Sequence, residues 1–542
     1  MKAFCFRAAA AFCLCWAAME IVPAQDLIGP LPAPEAETVA KIAPETASTQ
    51  KLVPLSLMEC VRMALAKNID ISIQRLEPAI SRADTLSARG AFDPFFRLDS
   101  QYGERSSPRT AEQIAADGIS SSITHSAAYQ ASIGQTTATG ATLEAFSTAN
   151  NSESTFNNFE DEYSSFIGAR FTQPLLRNFG SDVNLAPIRI ARRGEAAADA
   201  GFQFQVEQIV SNTATAYFEL IFTREDLIAR EKSLVLAEQL LADNKIKVEL
   251  GTLSPLDISQ ANAEVAARKE EVIRARRTIR DQENTLKRLI SDDVISWLDS
   301  RIVPTDPADD LPRLPGSIDT IANGLRNRAD YRQSIEQAEQ QKLQVVFAEN
   351  QLLPQLDLRA SYGYAGLGDS FGRTYDQTFK GKDDQWFVGF TFEIPWFNRT
   401  ERGQLDAAKL QKEQTLLTLK KLEQDIIVQI DNANGQAATN RERVDAAHAA
   451  RVLAEESLNA EQEKLNAGAS TSFVVLQLQR DLTAARSTEL RAIADYQQSV
   501  VELQRVQGIV LSKNNIILDR TLPSPSATSI PTATPASSPA KP

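Results

Sequence analysis

Apolar residues recur every seven positions between Leu220 and Leu289. Leu220, Leu227, Leu234, Leu241 and Val248 form one column; Ile258, Val265, Val272, Ile279 and Leu286 form a second. A seven-residue column on a 3.6-residue helix implies left-handed supercoiling against a neighbour, so two long helices joined by a tight turn are predicted. Gly251 suits the C-terminus of the first helix, where a left-handed backbone is needed. Ser254, Pro255 and Asp257 suit the N-cap, the first helical position and the capping-box acid of the second. The turn therefore has a complete local explanation before any function is considered.

Elsewhere the period is two. From Phe95, residues Phe96, Leu98 and Tyr102 fall on one face and Arg97, Asp99 and Gln101 on the other. Ala127, Tyr129, Ala131 and Ile133 alternate in the same way, and a turn at 137–140 leads into a weaker strand through Thr148. Ile167, Ala169 and Phe171 precede Pro174. Leu356, Leu358, Ala360, Tyr362 and Tyr364 make a further strand, and Trp386, Val388, Phe390, Phe392, Ile394 and Trp396 another. Polar loops are expected at 105–124 and 150–161. Helices are expected after Ser56, over 71–89 with Pro78 as a kink point, over 185–250 and over 254–290.

The chain repeats itself. Leu65, Asp70, Pro94, Leu98, Tyr102 and Gly103 recur at an offset of 260 as Leu325, Asp330, Pro354, Leu358, Tyr362 and Gly363. Phe166, Gly168, Phe171 and Pro174 recur at 221 as Phe387, Gly389, Phe392 and Pro395; Lys247 and Gly251 recur at 217 as Lys464 and Gly468. The fall from 260 to 221 places an insertion in the first copy between Gly103 and Phe166, where the 127–148 hairpin lies. The predicted organisation is a signal peptide at 1–24, a disordered arm at 25–52 and a first repeat at 53–291 with strands in 93–173. A linker at 292–316, a second repeat at 317–513 with strands 355–364 and 386–396, and a disordered tail at 514–542 complete it.

Lys2, Arg7, the apolar run 8–18 and Val22-Pro23-Ala24 have the layout of a secretory signal. Lipidation is not expected, because Leu14 and Phe12 precede Cys15 and Cys13 where a small residue is usual. Removal of the signal leaves Cys60 alone, so no intramolecular disulfide is expected. The net charge of −13 argues against a nucleic-acid partner. His125, His448 and Cys60 have no metal-ligand spacing. No phosphate loop or nucleophile motif is present, so no enzyme activity, catalytic residue, metal or cofactor is expected.

The 386–396 strand is apolar on one face, polar on the other and carries Trp at both ends. That is the pattern of an outer-membrane barrel wall with aromatic girdles, its lipid face being Trp386, Val388, Phe390, Phe392, Ile394 and Trp396. Four strands per chain, or six with the extra hairpin, do not close a barrel. Since open edges are not tolerated in lipid, closure requires several chains.

The segments Leu57-Met58-Glu59-Cys60-Val61, Ala64-Leu65, Asn68-Ile69-Asp70-Ile71 and Thr172-Gln173-Pro174-Leu175-Leu176, with the two glycine turns, resemble the TolC-like outer-membrane efflux proteins over about 54–513. The resemblance implies a mainly α protomer with a small β contribution, forming a homotrimer. One shared barrel would stand in the outer membrane and be continued by a long periplasmic α-helical barrel. It implies a passive exit duct of tripartite efflux or type I secretion, with a periplasmic adaptor and an inner-membrane transporter as partners. The docking tip transfers to Gly251, Thr252, Leu253 and Ser254 and to Gly468, Ala469, Ser470 and Thr471. Some members carry acidic rings in the second-copy turn; Val474 and Gln477 stand at the equivalent places here, so that ring is missing. Asp257 is either an acidic pore constriction or the helix cap already described, and the two roles are compatible. If the hairpin strands join the barrel, a trimer has eighteen strands instead of twelve; otherwise the hairpin is a surface insertion. The competing class is a periplasmic coiled-coil scaffold without a pore, which the heptads fit but which leaves the 386–396 strand unexplained. Cargo is not legible, and with only Met58 and Met63 left after the signal a soft-metal relay has no support.

Overall fold

The computed structural model describes residues 51–118, 120–155, 160–251, 253–307 and 317–518. The expected signal peptide, residues 25–50 of the arm, residues 308–316 of the linker, Thr252 and the tail from 519 lie outside the described residues. Two units are distinguished. The described part of the first is Lys51, Leu52 and Asp299–Arg301, tied by Lys51 N donating to Asp299 O at 3.2 Å. The second unit carries everything that follows.

In chain order the elements are β1 (Lys51–Leu55), α1 (Leu57–Lys67), α2 (Ile69–Arg89), β2 (Phe95–Pro108), α3 (Ala111–Asp117), β3 (Ser121–Thr136), β4 (Thr142–Ser154) and β5 (Glu162–Pro174). Next come α4 (Ser181–Asn184), α5 (Ala186–Glu249), α6 (Pro255–Ile290), β6 (Ser300–Pro304), α7 (Ser317–Asn327) and α8 (Ala329–Gln351). β7 (Gln355–Gly368), α9 (Phe371–Phe379), β8 (Asp384–Glu393), α10 (Arg399–Asn466), α11 (Ser472–Val506) and α12 (Val510–Lys513) follow, the last of the elements among the described residues.

One antiparallel sheet has the order β2-β3-β4-β5-β7-β8. The hairpin β3–β4 is therefore in the sheet, which has six strands. Several strands run further than alternation indicates. β2 reaches Pro108 and is followed by the short helix α3, where the sequence suggests a loop over 105–124. The hairpin covers 121–154, not 127–148, and β7 reaches Gly368, not Tyr364. The extra residues do not alternate apolar with polar, being mostly polar in β2, β3 and β4 and small or glycine around Leu367 in β7, so no side-chain period marks them; backbone pairing carries them, as in Ser106 opposite Ile123. The last strand differs in the other sense. It starts at Asp384 and ends at Glu393, so Ile394 and Trp396 lie beyond it. Pro395 has no N–H to give to a ladder and restricts the residue before it. β1 and β6, a two-stranded sheet formed across the boundary between arm and first repeat and within the linker, and α9 were also not foreseen. Helix α2 runs through Pro78 without interruption.

The long helices pack side by side. Next to the sheet, α2 packs on α5, α5 on α8 and α8 on α10; farther away the order is α6, α5, α11, α10. α5 has 64 residues, which at 1.5 Å per residue is about 96 Å. Short helices complete the long ones end to end. Asn68 Nδ2 donates to Leu289 O at 2.9 Å, joining the end of α6 to the start of α2. Arg328 Nη1 donates to Val506 O at 3.4 Å, joining the end of α11 to the start of α8. Asn68 and Arg328 stand 260 apart and Leu289 and Val506 217 apart, so these are the same contact in the two repeats. In the second copy Asp330 grips Arg328 through two hydrogen bonds, at 3.0 and 2.6 Å.

The largest apolar cluster lies where α1, α5 and α6 meet, around Cys60, Val61, Ile71, Val206, Leu220, Leu286 and Ile290. Tyr217 is fully buried there. Its hydroxyl donates to Leu55 O at 3.0 Å and accepts from Thr305 N at 3.3 Å. Burial also drives the Cys60 thiol up to about 12. Higher on α5, Glu207 is 3% exposed; Gln203 Nε2 donates to it at 2.8 Å, and burial raises its carboxyl above the usual range.

Two outcomes are expected. Tyr217→Phe removes the hydroxyl's bonds to Leu55 O and to the Thr305 and Asp306 amides, while Thr305 N still donates to Leu55 O at 3.1 Å, so the cost is about 1 kcal/mol, read as a lower melting temperature. The raised Glu207 carboxyl binds its proton more tightly folded than unfolded. Its contribution is therefore present at low pH and lost as pH rises through the folded value. Glu207→Gln should flatten the fall in melting temperature between mildly acidic and alkaline buffer.

Candidate pore wall and helical tip

The pleat sorts the sheet into two unlike faces. Phe96, Leu98, Ile133, Leu143, Ile167, Phe171, Leu358 and Tyr362 share one face with Trp386, Val388, Phe390 and Phe392. Trp386 is 72% exposed and Phe390 67%, so this apolar face is uncovered within the chain. The opposite face carries Arg97, Asp99, Gln101, Glu144, Arg170, Arg359 and Thr391. Arg170 Nη2 meets Glu144 Oε2 at 2.8 Å, and its guanidinium lies 5.1 Å from the centre of the Phe146 ring. Phenylalanine rings on this polar face lie over glycines: Phe166 over Gly168 and Phe387 over Gly389, where a Cβ would come within 2.6 Å of the ring. These are the pairs that recur at an offset of 221, so the repeat preserves a close-packed ring and the gap it fills.

Helix α9 divides the apolar face. Thr374 Oγ1 donates to Tyr163 O at 3.3 Å, Thr378 and Ser165 hydroxyls meet at 2.6 Å, and Tyr375 and Ser147 hydroxyls at 3.2 Å. The serines and Gly366 lie under the helix, and a Cβ on Gly366 would come within 2.3 Å of Thr374 O. What remains uncovered on β7 runs from Leu356 to Tyr364. At about 3.4 Å per residue and a tilt near 40° it rises roughly 20 Å, close to the apolar band of an outer-membrane barrel. Among the described residues no helix is long and apolar enough to cross a membrane.

At the other end of the helices are two turns. Gly251 (φ +77°) and Gly468 (φ +73°) both hold left-handed backbone. After α10, Gly468 N donates to Leu465 O at 3.1 Å and Ala469 N to Lys464 O at 2.8 Å, the Schellman closure of a helix end. Before α6, Ser254 accepts from Leu256 N at 3.3 Å, while Asp257 Oδ2 accepts from Ser254 N at 3.1 Å. The structure thus places Asp257 in a capping box. Leu253 is half-buried, while Gly251, Ser254, Gly468, Ala469 and Thr471 are exposed. Ser470 Oγ donates to Glu461 at 2.5 Å and Lys464 pairs with the same carboxylate at 2.9 Å; together they lower its pKa.

The two turns are held side by side by residues the heptad columns missed. Ser472 Oγ donates to Asn244 Oδ1 at 2.9 Å, both side chains buried. Further up the same α5–α11 seam, Thr483 meets Ser233 at 3.0 Å, Ser487 donates to Asp226 at 2.6 Å and Arg491 reaches Glu219 at 2.8 Å. Glu219, Asp226 and Ser233 are seven apart, so a polar column runs beside the apolar one that starts at Leu220. Polar residues at buried helical positions specify register, and that period was the available signal. Among the described residues no group of three or more His, Cys, Asp and Glu side chains is placed to hold a metal.

Residues 320–508 match the family model described as outer membrane efflux protein. Over that segment, about a third of the chain, the protein is similar to outer membrane efflux proteins. It is 24% identical over 307 residues to the solvent efflux pump outer membrane protein SrpC of Pseudomonas putida, covering 55% of this chain and 62% of that protein's length. In fold it resembles the CmeC outer membrane channel of Campylobacter jejuni (TM-score 0.61, 19% identity, 85% of this chain and 88% of that one). The MtrE outer membrane channel of Neisseria gonorrhoeae, solved in its open state, is similar (TM-score 0.59, 17% identity, 86% and 94%).

An added Cβ at Gly468 or Gly251 meets nothing within 4 Å, so alanine there costs only the left-handed backbone, about 1–2 kcal/mol. Hydrogen exchange at the turn amides should speed up about tenfold in Gly468→Ala, with the sheet amides unchanged.

Proposed function

We propose that this chain is the exit duct of a tripartite efflux or type I secretion system: a passive channel of three copies, docking a periplasmic adaptor and an inner-membrane transporter at its helical tip. The observation that carries this reading is that sheet and helical layer are open along the same two flanks. β2 and β8 are the free strands. α2 leads into β2, and α10 leads out of β8. On one flank α2 leaves Ile69, Ile73, Leu76 and Ile80 about half-exposed, at helical spacing. On the other, α10 leaves Leu410 and Leu417 exposed, seven apart. Farther from the sheet the flanking pair is α6, with Ile273 exposed, and α10, with Leu453 exposed. A second copy supplies what each flank lacks: a strand for a strand and an apolar helix for an apolar helix. Three is the number the family resemblance implies.

In this assembly Trp386, Val388, Phe390 and Phe392 face outer-membrane lipid. The polar face lines the bore, and the Gly251 and Gly468 turns, with Leu253, Ser254, Ala469, Ser470 and Thr471, present the docking tip. Asp257 brings one carboxylate per copy to that tip while it caps α6. No step of transport needs chemistry from this chain; the inner-membrane partner supplies the energy.

The purified protein should give a trimer by native mass measurement and fractionate with the outer membrane; a soluble monomer would sink the reading. In planar bilayers, Asp257→Asn should lower the preference for cations at least twofold and cost under about 1 kcal/mol of stability. Unchanged selectivity would leave Asp257 as a cap and nothing more.

A further inference from the structure

The hairpin β3–β4 sits in the middle of the sheet, not at its edge. β3 pairs with β2 from Gly134–Phe95 to Ser121–Pro108, and β4 pairs with β5 from Thr142–Thr172 to Ser152–Glu162. Both faces of the hairpin continue the sorting of the rest of the sheet. Ala131, Ile133, Leu143 and Ala145 lie on the apolar side, Gln130 and Glu144 on the polar side. A surface insertion would instead leave β2 and β5 paired with each other and would have no reason to keep that sorting.

Counting the hairpin brings the widths of the two layers together. Next to the sheet each copy contributes four helices side by side, α2, α5, α8 and α10. At an interaxial spacing of 8–10 Å they span an arc of about 32–40 Å. Strands about 4.8 Å apart and tilted near 40° each take roughly 6.3 Å of circumference, so six span about 38 Å and four only about 25 Å. Six strands turn through the same arc as the helices they are joined to; four would require the wall to contract by about a third at the junction.

We propose that three copies close β8 against β2 of the next copy into a barrel of eighteen strands, with β3–β4 as part of the wall, so that the bore in the membrane is as wide as the helical tunnel beneath it. The proposal rests on the duct reading above. β8 runs toward α10 and β2 runs away from α2, so the joining pair is antiparallel like every other pair in the sheet. Relative to a twelve-stranded closure the circumference is half as large again and the cross-section about twice as great.

Two measurements on the full chain in outer-membrane preparations test this, with Cys60, fully buried, as a silent background. The register pairs Leu98–Ala131 and Ala145–Ala169 are replaced by cysteines, one pair at a time. Mild oxidation should close each disulfide in most chains while native mass still reports a trimer. A trimer in which both pairs stay open overturns the eighteen-stranded wall and leaves the duct reading standing; a monomer in the unsubstituted protein overturns both. Independently, single cysteines at Gln130 and Ile133 are challenged with a water-soluble maleimide. A wall predicts labelling at least tenfold faster at Gln130→Cys than at Ile133→Cys, which faces hydrocarbon. Equal rates place both in water and overturn the proposal.

Discussion

A sheet with two free strands is not a finished object in hydrocarbon. Every unpaired N–H and C=O along β2 and β8 lacks the water that would satisfy it in solution, at several kcal/mol each. The protein leaves those groups bare within one chain and arranges everything else around the same two flanks. The helices that continue the edge strands are the outermost in the packing order, and they carry exposed isoleucines and leucines. Strand pairing and apolar burial thus act along one line, from the upper rim of the sheet toward the tip. This continuity makes the proposed closure a single interface.

Duplication gives the two halves their common plan, and the structure shows what the repeat preserves. It is not overall identity but a few contacts that cannot move: the side chain at 68 or 328 that seals the carbonyl of a helix ending below it, and the phenylalanine ring over a glycine at 168 or 389. The chemistry of the seal has drifted from a neutral amide to a guanidinium held by Asp330. The position has not drifted, because both long helices must be prolonged by a short one to bring the layer up to the sheet.

The tip is stabilised differently from the wall. Apolar burial is limited there, with the cluster around Leu240, Leu458, Val475 and Leu476 joined by Ala261 and Val265 on α6. Glycine backbone, the capping box at Asp257 and the buried Ser472–Asn244 hydrogen bond fix its shape instead. Directional bonds suit an element that must hold two turns in a set relation with little core to do so. The polar column along α5 and α11 extends that logic upward and sets how far one helix can slide on the other.

Periodicity alone determined most of the architecture. Heptads marked α5 and α6, alternation marked the strands, and the change in repeat offset from 260 to 221 located the extra hairpin, because each of these reports local geometry that recurs in the chain. Glycine and capping residues placed the turn at Gly251 for the same reason. The tertiary structure alone decided whether that hairpin entered the sheet, where β2, β4 and β7 ended, that α9 lies over Ser165 and Gly366, and that Asn244 meets Ser472. Those outcomes depend on backbone pairing and polar contacts between residues far apart in sequence. A side-chain period carries no trace of such partners, since the same polar residue serves equally well in water or against a partner the fold has yet to bring near.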